Sequence, residues 1–597
     1  MSDYTAPLQD MKFVIEELVG LDRISALPGC EEVNGELVDA VLGEAAKFAS
    51  GVLAPLNRPG DQQGARFADG AVASADGFRE AYRQFIEAGW NGLSGQQQFG
   101  GQGLPEIVSV PVSEIWNSAN MAFCLCPMLT SGAVEAITRH GSPELQQRYL
   151  PKLTSGEWTG TMDLTESQAG SDLSAVRTRA VPEGDRYRLY GTKIFITWGE
   201  HDLAENIIHL VLARTPNAPE GTKGISLFVV PKILVNENGS LDVHNDVHCV
   251  SIEHKLGIHA SPTAVIAYGD KDGAIGYLVG EENRGLEYMF TMMNLARLGV
   301  GTEGVAIAER AYQHALAYAK QRVQGREIGV KNGGRVTIIH HPDVRRMLMS
   351  MKAQIEAMRA LAYFTAGALD IALRHPDPQQ RAESQALFDL LTPVVKGWCT
   401  EQSIEIASLG VQIHGGMGYV EETGAAQYLR DARITSIYEG TTGIQALDLL
   451  GRKIAFDKGV AVRALFMEMQ KLAAQNVNTN NANVVAILAS FRPALASLIE
   501  ATESLLRAFS GELKGAVAGA VPYLKMFGFV AGGWQMTQAA LVADRKLAEG
   551  VGNRDFYNAK ITTTRFYADH ILPMAYAHGH AVEHGAASVM GLAEDQF

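Results

Sequence analysis

Tyr187-Arg188-Leu189-Tyr190-Gly191-Thr192-Lys193-Ile194-Phe195-Ile196-Thr197 is the stretch that decides the fold, because here the apolar period of the chain changes. Its aromatic and β-branched residues in partial alternation predict a strand. Downstream, Ile207 to Ala213, Ile225 to Val230 and Ala264 to Tyr268 are apolar runs of strand length. No long helix separates these runs. Residues 161–282 are therefore expected to form an antiparallel barrel or sandwich rather than a parallel sheet.

Upstream the spacing is helical. Leu37, Val38, Val41, Leu42, Ala45 and Phe48 recur at the helix period, as do the apolar residues from Phe78 to Trp90 and from Gly132 to His140. They define a helical domain over 36–160, preceded by an arm, 1–35, that packs on the body. The glycines of Gly89-Trp90-Asn91-Gly92-Leu93 and Phe99-Gly100-Gly101-Gln102-Gly103 are followed by no Lys-Ser or Lys-Thr and preceded by no strand, so they read as a turn and not as a phosphate loop.

Past the strands, helix signals return from Gly285 to Gln321, with small residues at Ala306, Ala308, Ala311, Ala315, Ala317 and Ala319 that permit close packing. On an unbroken helix Arg297 and Arg322 would share one face. Helices over Pro342 to His375, Arg381 to Leu409 and Ala425 to Ile434 complete a bundle, 283–458. Residues 459–597 form a further helical domain, interrupted by a polar loop over 476–483. The fold class is thus mainly α with a central antiparallel β domain.

The chain has 597 residues, 47% hydrophobic and 20% charged, which is the composition of a globular protein of several domains. A net charge of -15 argues against nucleic acid as a main partner. Met1-Ser2-Asp3-Tyr4 shows no basic region before an apolar core, and a cytoplasmic location is expected. Cys30, Cys249 and Cys399 are scattered, and Cys124 with Cys126 has the wrong spacing for a metal clip or redox pair, so all five read as core thiols and no metal site is expected. The apolar run Ala516 to Val530 is broken by Pro522 and Lys525, which predicts a buried helix and no membrane span.

Four stretches carry chemistry. In Ile437-Tyr438-Glu439-Gly440-Thr441-Thr442-Gly443-Ile444-Gln445 one carboxylate precedes a helix start with Thr441 or Thr442 as N-cap, where backbone N–H groups and the positive dipole end suit a developing oxyanion. Met162-Asp163-Leu164-Thr165-Glu166-Ser167-Gln168-Ala169-Gly170-Ser171-Asp172 is a strand end entering a loop dense in hydroxyls. Lys193-Ile194-Phe195-Ile196-Thr197-Trp198-Gly199 places aromatics on either side of a Thr, suited to a flat ring. Gln412-Ile413-His414-Gly415-Gly416-Met417-Gly418-Tyr419 is a glycine-rich break after a helix, in which His414 reads as a packed residue more readily than as a base.

The order of these motifs, helical domain, Thr-Glu-x-x-Ala-Gly-Ser-Asp loop, β domain, Arg-bearing helix, Gln-x-x-Gly-Gly-x-Gly and Tyr-Glu-Gly-Thr, resembles the acyl-CoA dehydrogenase family over residues 40 to 455. The opening segment and long tail are similar to a larger bacterial branch that includes methylmercaptopropionyl-CoA and fatty acyl-CoA dehydrogenases. The resemblance implies an FAD enzyme that oxidises an acyl-CoA, most simply a fatty acyl-CoA of β-oxidation, to the trans-2-enoyl-CoA. Acyl-CoA oxidase shares base and flavin. Glu439 matches the family's base. Leu164, Thr165 and Ser171 match the loop on the isoalloxazine, Phe195 and Thr197 its flanking pair, and Arg322, Gln412, Gly416 and Thr441 the rest of FAD. Ser171, Trp198, Arg297, Tyr438 and Gly440 match substrate positions. Since Arg322 and Gln412 in the family serve a neighbouring subunit, a homodimer is implied, with electron-transferring flavoprotein as acceptor. Some relatives place the base on the long helix, where this chain has Glu303.

The chain departs from the family pattern at three points. Arg322-Val323-Gln324-Gly325-Arg326 stands where many relatives read Arg-x-Gln-Phe-Gly, Ser167 replaces a frequent Pro, and Asn294 stands where an Asp often precedes the matched Arg297. None of these touches Glu439.

Overall fold

The computed structural model describes residues 4–475 and 479–597. Part of the polar stretch read as a loop, 476–478, and the first three residues lie outside it. The chain divides into two compact units: one comprises Lys47–Pro105 and Ala119–Gly299, the other Met1–Ala46, Glu106–Ser118 and Val300–Phe597.

The first unit is built on an eight-stranded sheet. Its strands run in the order Val247–Ile252, Thr263–Tyr268, Arg186–Thr197, Ala274–Leu278, Ser226–Pro231, Asn206–Ala213 and Trp158–Asp163, with Arg179–Glu183 paired to Arg186–Thr197. Every pairing is antiparallel except the last, in which Trp158–Asp163 runs parallel to Asn206–Ala213, Trp158 opposite Asn206. The expected antiparallel sheet is thus found, with this pair as a parallel addition at its edge. Parallel neighbours need a long crossover, and here strands Arg179–Glu183 and Arg186–Thr197 supply it, so the absence of an intervening helix did not signal antiparallel pairing. Both strands of the pair are buried along their whole length, polar Thr159, Thr161, Asp163, Asn206 and His209 included.

Against one face of the sheet Trp158, Leu210 and Val229 pack with Tyr149, Met289 and Met292. The glycine turn reads as expected: Gln102 N–H donates to the Gly92 carbonyl at 2.8 Å. A Cβ on Gly101 would lie 2.1 Å from the Gly95 carbonyl oxygen, so no other residue fits the crossing.

The second unit is helical. Gly285–Gln321 is one helix, as its spacing predicts, and Ala306, Ala308, Ala311, Ala315 and Ala319 on it are buried. Pro342–Arg374 and Pro378–His414 pack on each other, with Val395 and Cys399 of the latter against Gly301 and Gly304 and Arg359 of the former paired with Glu309. The helix Ala520–Glu549 of the C-terminal region lies across both, and most of its residues from Tyr523 to Ala543 are buried. Its approach is set by a missing side chain: a Cβ on Gly528 would stand 2.2 Å from Trp398 Cγ. The expected buried helix of the tail is therefore found.

The N-terminal arm folds as short helices on the same body. Its Asp10 enters a buried ionic group in which Arg359 bonds Asp10 at 2.6 Å, Glu114 at 2.6 Å and Glu309 at 2.8 Å, and Lys560 of the tail bonds Asp10 and, at 2.6 Å, Glu356. One guanidinium thus ties the arm to two other helices, and Asp10 joins it to the tail. All five cysteines are buried and free. Glu106–His140, broken at Asn120, and Ala482–Gly511 are long and apolar enough to cross a membrane by length and composition, a test that core helices of soluble proteins also pass.

Candidate active site

Glu439 stands on a tight turn between helices Ala425–Thr435 and Thr442–Leu447. Thr441 caps the second helix, its hydroxyl accepting from Ile444 N–H at 3.3 Å. Two consecutive residues of the turn are left-handed, Glu439 at φ 55° and Gly440 at φ 90°. For glycine this is free, whereas for glutamate it costs about 1–2 kcal/mol. Such strain persists only where surrounding groups hold it. Here Lys396 Nζ donates to the Gly440 carbonyl at 2.6 Å, and the Gln445 side-chain amide donates to the Glu439 carbonyl at 3.1 Å.

Behind the turn, the Tyr438 hydroxyl donates to the Glu303 carboxylate on the long helix. Glu303 is wholly buried and its Oε1 has no hydrogen-bond partner among the described residues. Burial, with the negative charge of Glu439 adding to it, pushes Glu303 up to about 8, so at neutral pH it carries a proton. Glu439 itself is half-buried. An accessible carboxylate beside a buried acid that stays neutral has the division of labour needed for proton abstraction.

In the sheet unit, two separately predicted segments come together. Thr165 carbonyl accepts from Ile194 N–H at 2.9 Å, and Leu164 carbonyl from Lys193 Nζ at 3.0 Å, so the hydroxyl-rich loop is bound to the strand that carries Phe195 and Thr197. The loop is further fixed by Glu166, which accepts from Lys193 Nζ at 2.8 Å, Thr178 Oγ1 at 2.6 Å and Arg177 N–H at 2.8 Å. Burial alone would raise this carboxyl, but the Lys193 ammonium and the other donors hold it at about 2.

Phe195 and Trp198 are both left-handed, at φ 60° and 53°. The register with Thr263–Tyr268 slips beside Phe195, and the ring is turned outward, 58% exposed. An exposed aromatic ring alongside a hydroxyl-rich loop suits a flat heterocycle, and these residues fit a flavin. Trp198 goes the other way: it is buried, and its indole N–H donates to the Ala122 carbonyl at 3.2 Å.

The remaining matched positions vary in setting. Ser171, Arg322, Gln412 and Gly416 are exposed, and Arg297 is buried. Helix Gly285–Gln321 ends one residue before Arg322, whose N–H still donates to the Tyr318 carbonyl at 2.8 Å, and the chain then turns into strand Val323–Arg326. Gln412 and His414 are the last residues of helix Pro378–His414, and the break begins at Gly415. His414 is a packed residue as read, its ring bonded to the Gly410 carbonyl at 2.7 Å and its basicity lowered by burial. Sequence reasoning missed Lys396, Gln445 and the Lys193–Glu166 pair. For Lys396 a signal existed, a lone cation in the apolar run Val394-Val395-Lys396-Gly397-Trp398.

Comparison with known proteins agrees along the chain. Residues 38–157, 161–270 and 283–454 match the N-terminal, middle and C-terminal domains of acyl-CoA dehydrogenase, and 465–593 match the family described as acetyl-CoA dehydrogenase C-terminal like. The chain is 50% identical to 3-methylmercaptopropionyl-CoA dehydrogenase of Ruegeria pomeroyi, over 95% of this chain and 96% of that protein. It is 34% identical to a butyryl-CoA dehydrogenase of Syntrophomonas wolfei, over 100% and 99%. Its fold is that of the acyl-CoA dehydrogenase of Bacillus anthracis solved with FAD, at TM-score 0.74 and 22% identity over 94% of this chain and 90% of that one. The chain is a member of the acyl-CoA dehydrogenase family, with the family's additional C-terminal domain.

Proposed function

We propose that this protein introduces a double bond between Cα and Cβ of an acyl-CoA thioester, with FAD as its cofactor and Glu439 as its base. The observation that carries this is the turn at Glu439, a strained carboxylate held before a capped helix next to a second, neutral acid. FAD, when bound, supplies the acceptor for the hydride that leaves Cβ. Glu439 takes the α-proton on its carboxylate, and its backbone N–H polarises the thioester carbonyl. Leu164, Thr165 and Ser171 hold the isoalloxazine, with Phe195 and Thr197 at its side. Arg322, Gln412, Gly416 and Thr441 take the phosphate and adenosine end. Tyr438, Gly440, Arg297, Ser171 and Trp198 are the residues proposed to serve the acyl-CoA.

For the substrate, identity favours a short thioether acyl group, since the methylmercaptopropionyl enzyme is 50% identical and the butyryl enzyme 34%. A linear fatty acyl-CoA, the simpler reading of the sequence, is the second arm of the test. Anaerobic addition of 3-methylmercaptopropionyl-CoA and of linear acyl-CoAs should bleach the flavin, fastest with the thioether. Bleaching by none of them would overturn the proposal. Electron-transferring flavoprotein is the proposed acceptor, and rapid peroxide release in air would point to an oxidase instead. We further propose a cytoplasmic homodimer, because the C-terminal helices cover the bundle; a stable tetramer on ultracentrifugation would contradict it.

A further inference from the structure

Resting on that reading of Glu439, the geometry points to Lys396 and Glu303 as positioning residues for the base: the Lys396 ammonium pins the Gly440 carbonyl, the Glu303 carboxyl anchors the Tyr438 hydroxyl, and the turn between them presents Glu439 in one orientation.

Lys396 lies in the middle of a helix, between Val395 and Gly397, and is 0% exposed. A lysine is rarely so placed without work to do, since burying an ammonium is costly unless it is hydrogen-bonded. Its Nζ reaches 2.6 Å to the carbonyl of the residue after the base. Gln445, also 0% exposed, reaches both the Glu439 and Gly440 carbonyls, at 3.1 and 3.4 Å. On the other side of Glu439, Tyr438 is tied to Glu303. The base is thus flanked by two residues anchored to two different helices, and its own backbone is left-handed. Without those anchors the turn would relax toward a right-handed backbone and carry the carboxylate away from its working position.

The same groups form one electrostatic set. The charged and titratable groups facing Glu303 are Tyr438 and Glu439 from the turn and Lys396 from the neighbouring helix. Ionisation of Glu303, favoured above about pH 8, puts a second negative charge beside the base. It also leaves Lys396 drawn between that charge and the Gly440 carbonyl.

The test uses the full-length flavoprotein and three variants. Lys396→Met is expected to keep flavin content and acyl-CoA KM within about threefold while flavin reduction slows at least tenfold, with Lys396→Arg recovering part of the loss. Hydrogen exchange of the amides 438–441 should quicken in Lys396→Met and not in Lys396→Arg, a readout that holds whether or not any acyl-CoA is turned over. Glu303→Gln should abolish the change in reduction rate and in exchange that the native protein shows around pH 8. If Lys396→Met does not fold, Glu303→Gln alone decides, and persistence of that change overturns the inference. Native exchange and reduction rate in a folded Lys396→Met also overturn it, and because the native protein bleaches in that case, the proposed function stands. Failure of the native protein to bleach sinks the proposed function and leaves the exchange result to judge the inference.

Discussion

Glu303 and Glu439 occupy one electrostatic neighbourhood, in which the charge on Glu439 reinforces burial in keeping a proton on Glu303. The fold thereby brings together two acids that are distant in sequence. The pH consequence follows from the sign of the shift. The ordinary value is 4.5 and the folded value about 8, so the folded form holds this proton more tightly. The stability it contributes is complete below about 4.5 and is lost as pH rises through about 8. Melting temperature should fall between pH 6 and 9 in the native protein and fall less in Glu303→Gln. Parallel curves would contradict the assignment.

The Lys193–Glu166 pair shifts the other way. Its carboxylate is depressed from 4.5 to about 2, so its contribution is present above about 4.5 and is lost as pH drops toward 2. Removing one member leaves the other buried and uncompensated: Glu166→Gln should cost about 3–5 kcal/mol. It should also lower flavin content, because the Leu164–Thr165 loop loses its anchor. The double variant Glu166→Gln with Lys193→Met should regain much of the stability, as judged by chemical denaturation.

Much of this was legible in the sequence where the cause is local. The helix Gly285–Gln321 shows its small-residue packing in its spacing, and Thr441 is recognisable as a cap from the residues around it. The turn that carries Glu439 was legible as a glycine and threonine stretch before a helix, while the role of Glu439 as base is what the family resemblance implies. What was hidden depends on partners distant along the chain. Asp10 gives no local hint that it meets Arg359 and Lys560, and the parallel pairing of Trp158–Asp163 is decided by a crossover made of other strands. The hairpin of Val323–Arg326 with Arg335–Thr337 is largely exposed, so no apolar alternation marks it.

Trp398 and Gly528 test how the C-terminal helix is seated. Gly528→Ala puts a methyl group 2.2 Å from Trp398 Cγ, in a contact with no slack. Overpacking of this kind typically costs about 1–3 kcal/mol. A lower midpoint in urea with unchanged slope is the expected result. A smaller residue at 398, in Trp398→Leu, should make the alanine at 528 better tolerated than it is in the native background.

The account turns on Glu439 as the proton acceptor, and Glu439→Gln measures that directly. Glutamine keeps the size, the turn and the backbone N–H but accepts no proton, and loss of a general base costs about 100-fold to 10,000-fold. Glu303 cannot take over readily, because it is already protonated at neutral pH and bonded to Tyr438. Stopped-flow reduction of the bound flavin by acyl-CoA should therefore fall by at least that factor in Glu439→Gln, with flavin content and ligand binding retained. Bleaching at close to the native rate would contradict the account and make Glu303 the next residue to replace.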